Sequence, residues 1–218
     1  MVLIYKVLLM GMLSLSALSH AQFMQSQVQI GFGAAVKTSE VGQLLHRNTV
    51  IPKAAYMWAF GLNVTYRSYD DTDADEFMEN VKLNAVKLFE NGLEAHQVRL
   101  KKFLETVSEE ELMASPKLQS QARSLLNHEQ QFKNALKVAK SDHPMIYALE
   151  VVGYADEIEE IKDDAMVKGF LEINGKMDKK SKLALKPSSF RNEYRDPLIS
   201  TLDSKSLYSL VRESVLSE

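Results

Sequence analysis

The apolar positions of this chain recur with two different periods, and the place where the period changes divides it. In QVQIGFGAAVK, residues 27–37, Val28, Ile30, Phe32, Ala34 and Val36 fall at every second position. In YMWAFGLNVTYRS, residues 56–68, Trp58, Phe60, Leu62, Val64 and Tyr66 do the same. The alternate positions carry Gln, Gly, Asn, Thr and Arg. Strict alternation in segments rich in aromatic and β-branched residues predicts two half-buried strands. Residues 38–55, which include LLHRNTVIP, read as a loop or short helix covering them.

Beyond Asp73 the spacing lengthens to three and four. Met78, Val81, Ala85, Leu88, Gly92, His96, Leu100, Phe103 and Val107 trace one face of a long helix. Ser108 then opens a capping-box spacing with Glu111, and Ser115-Pro116 supplies a second cap with proline at the first helical position. Leu118, Ala122, Leu125, Glu129, Phe132, Leu136 and Ala139 continue as a second helix to about Lys140. Two long helices joined by a short capped turn predict an antiparallel helical hairpin over residues 71–141.

The remaining segment, 142–218, reads as helical. Asp142-His143-Pro144 is a helix-start signal. MIYALEVVGY, residues 145–154, fits a buried strand or a helix opening equally, because a short apolar run carries no period. Ala155, Ile158, Ile161 and Ala165 predict helix to about Phe170, ended by Asn174-Gly175, although 167–186 also fits a hairpin. From Asp203, Leu207, Leu210, Val211 and Val215 mark a final amphipathic helix. The expected fold is therefore α+β and predominantly α-helical. A small N-terminal antiparallel β unit (22–70) packs on the hairpin and on further C-terminal helices. Two strands are marginal alone, so they require a third strand, helices or another chain.

The first residues, MVLIYKVLLMGMLSLSALSHAQF, change the setting. Lys6 precedes an apolar run from Val7 to Leu18, and Ser19-His20-Ala21 has the small-x-small form of a signal peptidase site. A secretory signal cleaved after Ala21 is expected, leaving residues 22–218 as one mature domain. The run is shorter than the about 20 apolar residues of a membrane span, and no later stretch approaches one. Cysteine is absent from the whole chain, which in an exported protein suggests a bacterial envelope component, periplasmic or secreted, with a core that needs no disulfide. The formal net charge of −3 argues against a nucleic-acid partner.

Candidate chemistry is sparse. DDTDADEF offers Asp71, Asp73 and Asp75 at the first spacings of a calcium loop, but Glu76 and Lys82 stand where glycine and the closing glutamate belong. The same acids suit the start of a helix. HEQQF at His128 carries Phe132 where a zinc helix has its second histidine. IGFGAAV lacks the third glycine of a dinucleotide fingerprint. No cofactor is expected. A basic run of Lys176, Lys179, Lys180, Lys182, Lys186, Arg191 and Arg195 follows an acidic stretch, 150–164. It is either a solvated face or a surface for an acidic partner or anionic lipid.

The expected function is that of an exported non-enzymatic envelope protein that binds other proteins or itself, as an assembly, secretion or chaperone-like component. An alternative is an enzyme or small-ligand binder with a pocket between the β unit and the helices, for which His46, Trp58, Tyr66, Arg67 and His96 are the candidate residues. A third is a peripheral membrane-surface protein using the basic run.

Overall fold

The computed structural model describes residues 25–173, 186–191 and 193–216. The expected leader, and Lys176, Lys179, Lys180 and Lys182 of the basic run, lie outside the described residues. The elements are β1 (Ser26–Val36), α1 (Thr38–Arg47), β2 (Ile51–Ala59), β3 (Leu62–Arg67), α2 (Ala74–Thr106), α3 (Glu109–Ala114), α4 (Pro116–Lys140), β4 (Ile146–Gly153), α5 (Ala155–Asp163), β5 (Gly169–Glu172), α6 (Pro197–Thr201) and α7 (Ser204–Leu216). The five strands form one antiparallel sheet in the order β3-β2-β4-β1-β5. The fold is α+β and mainly α, with α2 and α4 as a long helical hairpin.

In β1 Val28, Ile30 and Phe32 are buried as expected, but Gln29 and Gly31 between them are buried too, so the strand is covered on both faces there rather than half-buried. It pairs with β4 from Ser26↔Gly153 to Gly31↔Ala148; the register then shifts before resuming at Val36↔Ile146. Ala34 lies in this irregular stretch and is exposed, contrary to the strict alternation. The other edge of β1 pairs with β5, from Val28↔Glu172 to Gly31↔Gly169.

The segment expected as one strand over 56–68 is a hairpin, and β2 begins five residues earlier, at Ile51 in the expected loop. The turn is Phe60-Gly61, with φ of 48° and 88°. Left-handed φ at both central residues is what the type I′ two-residue hairpin loop demands, and Gly61 adopts it without a Cβ clash. A two-residue loop reverses the parity of the alternation, so even-numbered residues before the turn share a face with odd-numbered ones after it, as Arg67 reaching Tyr56 shows. The unbroken even-numbered run from Trp58 to Tyr66 therefore gave no sign of the turn. Phe60 is held there by edge-on packing against Tyr194 at 5.7 Å and by its carbonyl, which accepts from Gln131 Nε2 at 2.6 Å.

The hairpin forms where its stripes and caps place it. Asp73 Oδ1 accepts from Glu76 N at 2.9 Å at the start of α2. Ser108 and Glu111 cap α3 reciprocally, and Ser115 Oγ accepts from Leu118 N at the start of α4. The buried face of α2 holds Val81, Ala85, Phe89, Leu100 and Phe103. Leu88 is 44 % exposed, and Phe89 takes the buried position expected for it. On α4 the buried residues are Ala122, Leu126, Glu129, Gln131, Ala135 and Ala139, while Leu125 and Leu136 are half-buried.

The C-terminal part is less helical than expected. Residues 146–153 are strand β4, seated between β2 and β1. Ile146, Ala148, Leu149 and Val151 are wholly buried, and burial on both faces of a central strand explains the unbroken apolar run. Asp142-His143-Pro144 leads into this strand rather than into a helix. α5 stops at Asp163, short of Phe170: Asp164 Oδ1 accepts from Met166 N at 2.9 Å, and its Oδ2 takes Arg47 Nη2 at 2.9 Å. The chain then adds 169–172 to the edge of β1 as β5. α6, capped by Asp196 with Pro197 behind it, was not foreseen.

By internal packing the chain divides into two units. The first comprises the described parts of 1–56, 67–78 and 146–187; the second comprises those of 57–66, 79–145 and 188–218. The second unit has its own core, built from Leu100, Phe103, Leu112 and Leu126 with Leu207 and Val211 of α7.

Candidate functional site

Within the first unit the distinctive chemistry centres on Glu150. It interrupts the apolar run of β4 and is 3 % exposed. A buried carboxylate persists only when its oxygens are hydrogen-bonded and its charge is matched, and here neighbouring strands supply both. Tyr56 of β2 donates its hydroxyl to Oε2 at 2.7 Å. Arg67 at the end of β3 approaches Oε2 at 3.2 Å and donates Nη2 to the Tyr56 hydroxyl at 2.9 Å. Gln27 of β1 donates Nε2 to Oε1. Burial, reinforced by the Glu150 carboxylate, holds the Tyr56 hydroxyl well above the ordinary tyrosine range, so it is a fixed proton donor. A small cavity of about 260 Å³ borders the network, lined also by Lys53, Ser68 and Tyr69. Both cations facing it are already matched: Arg67 by Glu150, and Lys53 by Asp71.

In the second unit, cross-helix contacts hold α2 against α4. Lys140 reaches Glu90 at 2.8 Å, Phe132 packs on Gly92, and His96 stacks on His128 with ring centroids 5.1 Å apart. Burial, together with His128 and Arg99, lowers His96 below the ordinary histidine range, while Glu129 opposes that shift. Nearer the hairpin's turn the two helices leave a groove of about 420 Å³. Phe103 and Val107 from α2 and Leu118 and Leu125 from α4 give it apolar surface. Arg99 and Lys102 are the charged residues that line it, and no acid does.

The five residues expected to share one pocket are not gathered into one site. His46 Nε2 lies 2.9 Å from Asp75 Oδ1 at the surface. Arg67 joins Glu150. Trp58 stacks on Phe190 at 4.4 Å. His96 lies in the hairpin against His128 and Phe132, and Tyr66 is a half-buried β3 residue. The acidic run is likewise dispersed: Asp71 pairs with Lys53, Asp73 caps α2 and Asp75 meets His46. Among the described residues no group of three His, Cys, Asp or Glu is placed to hold a metal ion. Of the basic run, Arg195 is paired with Glu193, Arg191 is exposed and Lys186 is half-buried.

Sequence reasoning missed Glu150 and Tyr56. The signal for the first was present, since one carboxylate inside MIYALEVVGY must find a cation or a donor set if the run is buried. Compared with known protein families, known proteins and solved structures, the chain matches none.

Proposed function

We propose that this is an exported, non-enzymatic protein that binds another protein along its helical hairpin. The observation that carries this reading is the groove between α2 and α4, apolar within and lined by Arg99 and Lys102 with no acid. Helix-in-groove recognition uses this combination: an apolar face seats in the groove and flanking charge sets orientation and encounter. The complementary occupant is an amphipathic segment with an acidic edge. The leader-like first 21 residues and the cysteine-free composition support an extracytoplasmic setting.

The test is site-specific photo-crosslinking in cells. Gln121, exposed and lining the groove, is replaced by a photoreactive residue, and Glu110, exposed on α3, serves as the control. A discrete adduct from position 121, absent at 110 and lost in an Arg99→Glu/Lys102→Glu background, is expected. An adduct indifferent to charge reversal, or none at 121, overturns the proposal.

A further inference from the structure

The second unit holds a larger cavity than the groove, and its character is opposite. About 540 Å³ in volume, it lies between α4 and the segment 193–200. α4 contributes Arg123, Asn127, His128 and Gln131, and the facing segment contributes Glu193, Tyr194 and Arg195. Ser120, Ser124 and Ser200 add three hydroxyls. No aliphatic residue lines it.

These groups are held in place rather than loose. Asn127 Oδ1 accepts from Asp196 N at 2.7 Å, and Gln131 donates to Phe60 O. Tyr194 Oη accepts from Asn134 Nδ2 at 2.9 Å. His128 Nδ1 lies 2.7 Å from the carbonyl oxygen of Ser124. A carbonyl can only accept, so Nδ1 carries the proton and Nε2 remains for other partners.

The charges do not balance. Arg195 donates Nε and Nη2 to Glu193 Oε1 at 3.1 and 2.7 Å, so that pair is internally neutral. Arg123 makes no ion pair among the described residues; its Nη2 donates to the Leu202 carbonyl at 2.8 Å, and its Nε is buried without an acceptor. A part-buried guanidinium without a carboxylate is the feature an anion would complete. The hydroxyl and amide groups around it suit a ligand that is itself hydroxylated. A volume of this size lies within the about 300–1,000 Å³ range of small-ligand sites.

We infer that this cavity binds a small hydroxylated ligand bearing one oxyanion group, carboxylate or phosphate ester, with Arg123 as its counter-ion. The site is separate from the apolar groove and does not depend on the protein-binding role proposed above.

The purified protein would be titrated with glucuronate, glucose 6-phosphate and glucose, and read by calorimetry and by amide NMR shifts along α4. At least one charged probe should give a saturable response centred on Arg123–His128, and glucose should not. Which charged probe binds assigns carboxylate or phosphate. Arg123→Gln should weaken binding by about tenfold or more, the scale of one charged hydrogen bond. Because Arg123 also holds Leu202, a second variant is needed: Ser124→Asp places a carboxylate at an exposed position of the cavity and should abolish binding in a folded protein. Silence of both charged probes, an equal response to glucose, or unchanged affinity in Ser124→Asp would overturn the inference.

Discussion

Gly92 stands on α2 where the ring of Phe132 occupies the space of a side chain: a Cβ there would lie 2.1 Å from Cε1 of that ring. Helix propensity alone favours alanine over glycine by about 1 kcal/mol, whereas forcing a methyl into a filled contact costs about 1–3 kcal/mol. With the ring this close the second effect wins, and Gly92→Ala should lose about 1–2 kcal/mol of stability in urea denaturation. In a Phe132→Ala background the clash is gone and the sign should reverse. A Gly92→Ala change that destabilises both backgrounds equally would disprove this account. The sequence showed Gly92 and Phe132 on the two apolar stripes, yet not that they meet, because a stripe fixes which face is buried and not which residue lies opposite.

At the scale of elements, the hairpin of α2 and α4 was legible because its determinants are local. Ser108, Glu111 and Ser115 satisfy backbone groups within one turn, so their effect is written in adjacent residues. β4 was not legible, since its conformation is decided by β1 and β2 on either side. The hairpin also carries a pH dependence. Burial with His128 and Arg99 nearby lowers His96, against the opposing Glu129, so the unfolded chain takes up a proton near the ordinary histidine value of about 6.5 that the folded chain resists. The unfolded state then binds more protons, and the His96 contribution, complete above that pH, is lost as pH falls through it towards the folded value. Urea midpoints at about pH 7.5 and about pH 5.5 should differ more for the parent than for His96→Gln. Equal differences would exclude His96 as the source.

At the scale of the whole molecule, Gln27, Tyr56, Arg67 and Glu150 come from four strands far apart in sequence and share one hydrogen-bonded network. Glu150→Ala strips Arg67 of its counter-ion and Tyr56 of its acceptor. Breaking a buried pair costs about 3–5 kcal/mol, and the side chain of Arg67 is 33 % exposed, so about 3 kcal/mol is expected, well above the cost of Tyr56→Phe at about 1 kcal/mol. Chemical denaturation of the two variants checks the order, and a Glu150→Ala loss no larger than that of Tyr56→Phe would mean the carboxylate is not matched as described. The candidate pocket residues bear on this same scale. His46, Trp58, Arg67 and His96 were grouped by residue type, and each has a partner within its own unit: Asp75, Phe190, Glu150 and His128.

The class of fold, the hairpin and its caps, and the final amphipathic helix are written in the local order of residues, since period and capping are properties of neighbours. That 56–68 turns back at Phe60-Gly61, that 146–153 and 169–172 are strands, and that Glu150 finds partners on three other strands follow from the folded arrangement alone. Each of those outcomes rests on which distant segment lies alongside, and hydrogen bonds and charge pairs between distant segments leave no period in the chain.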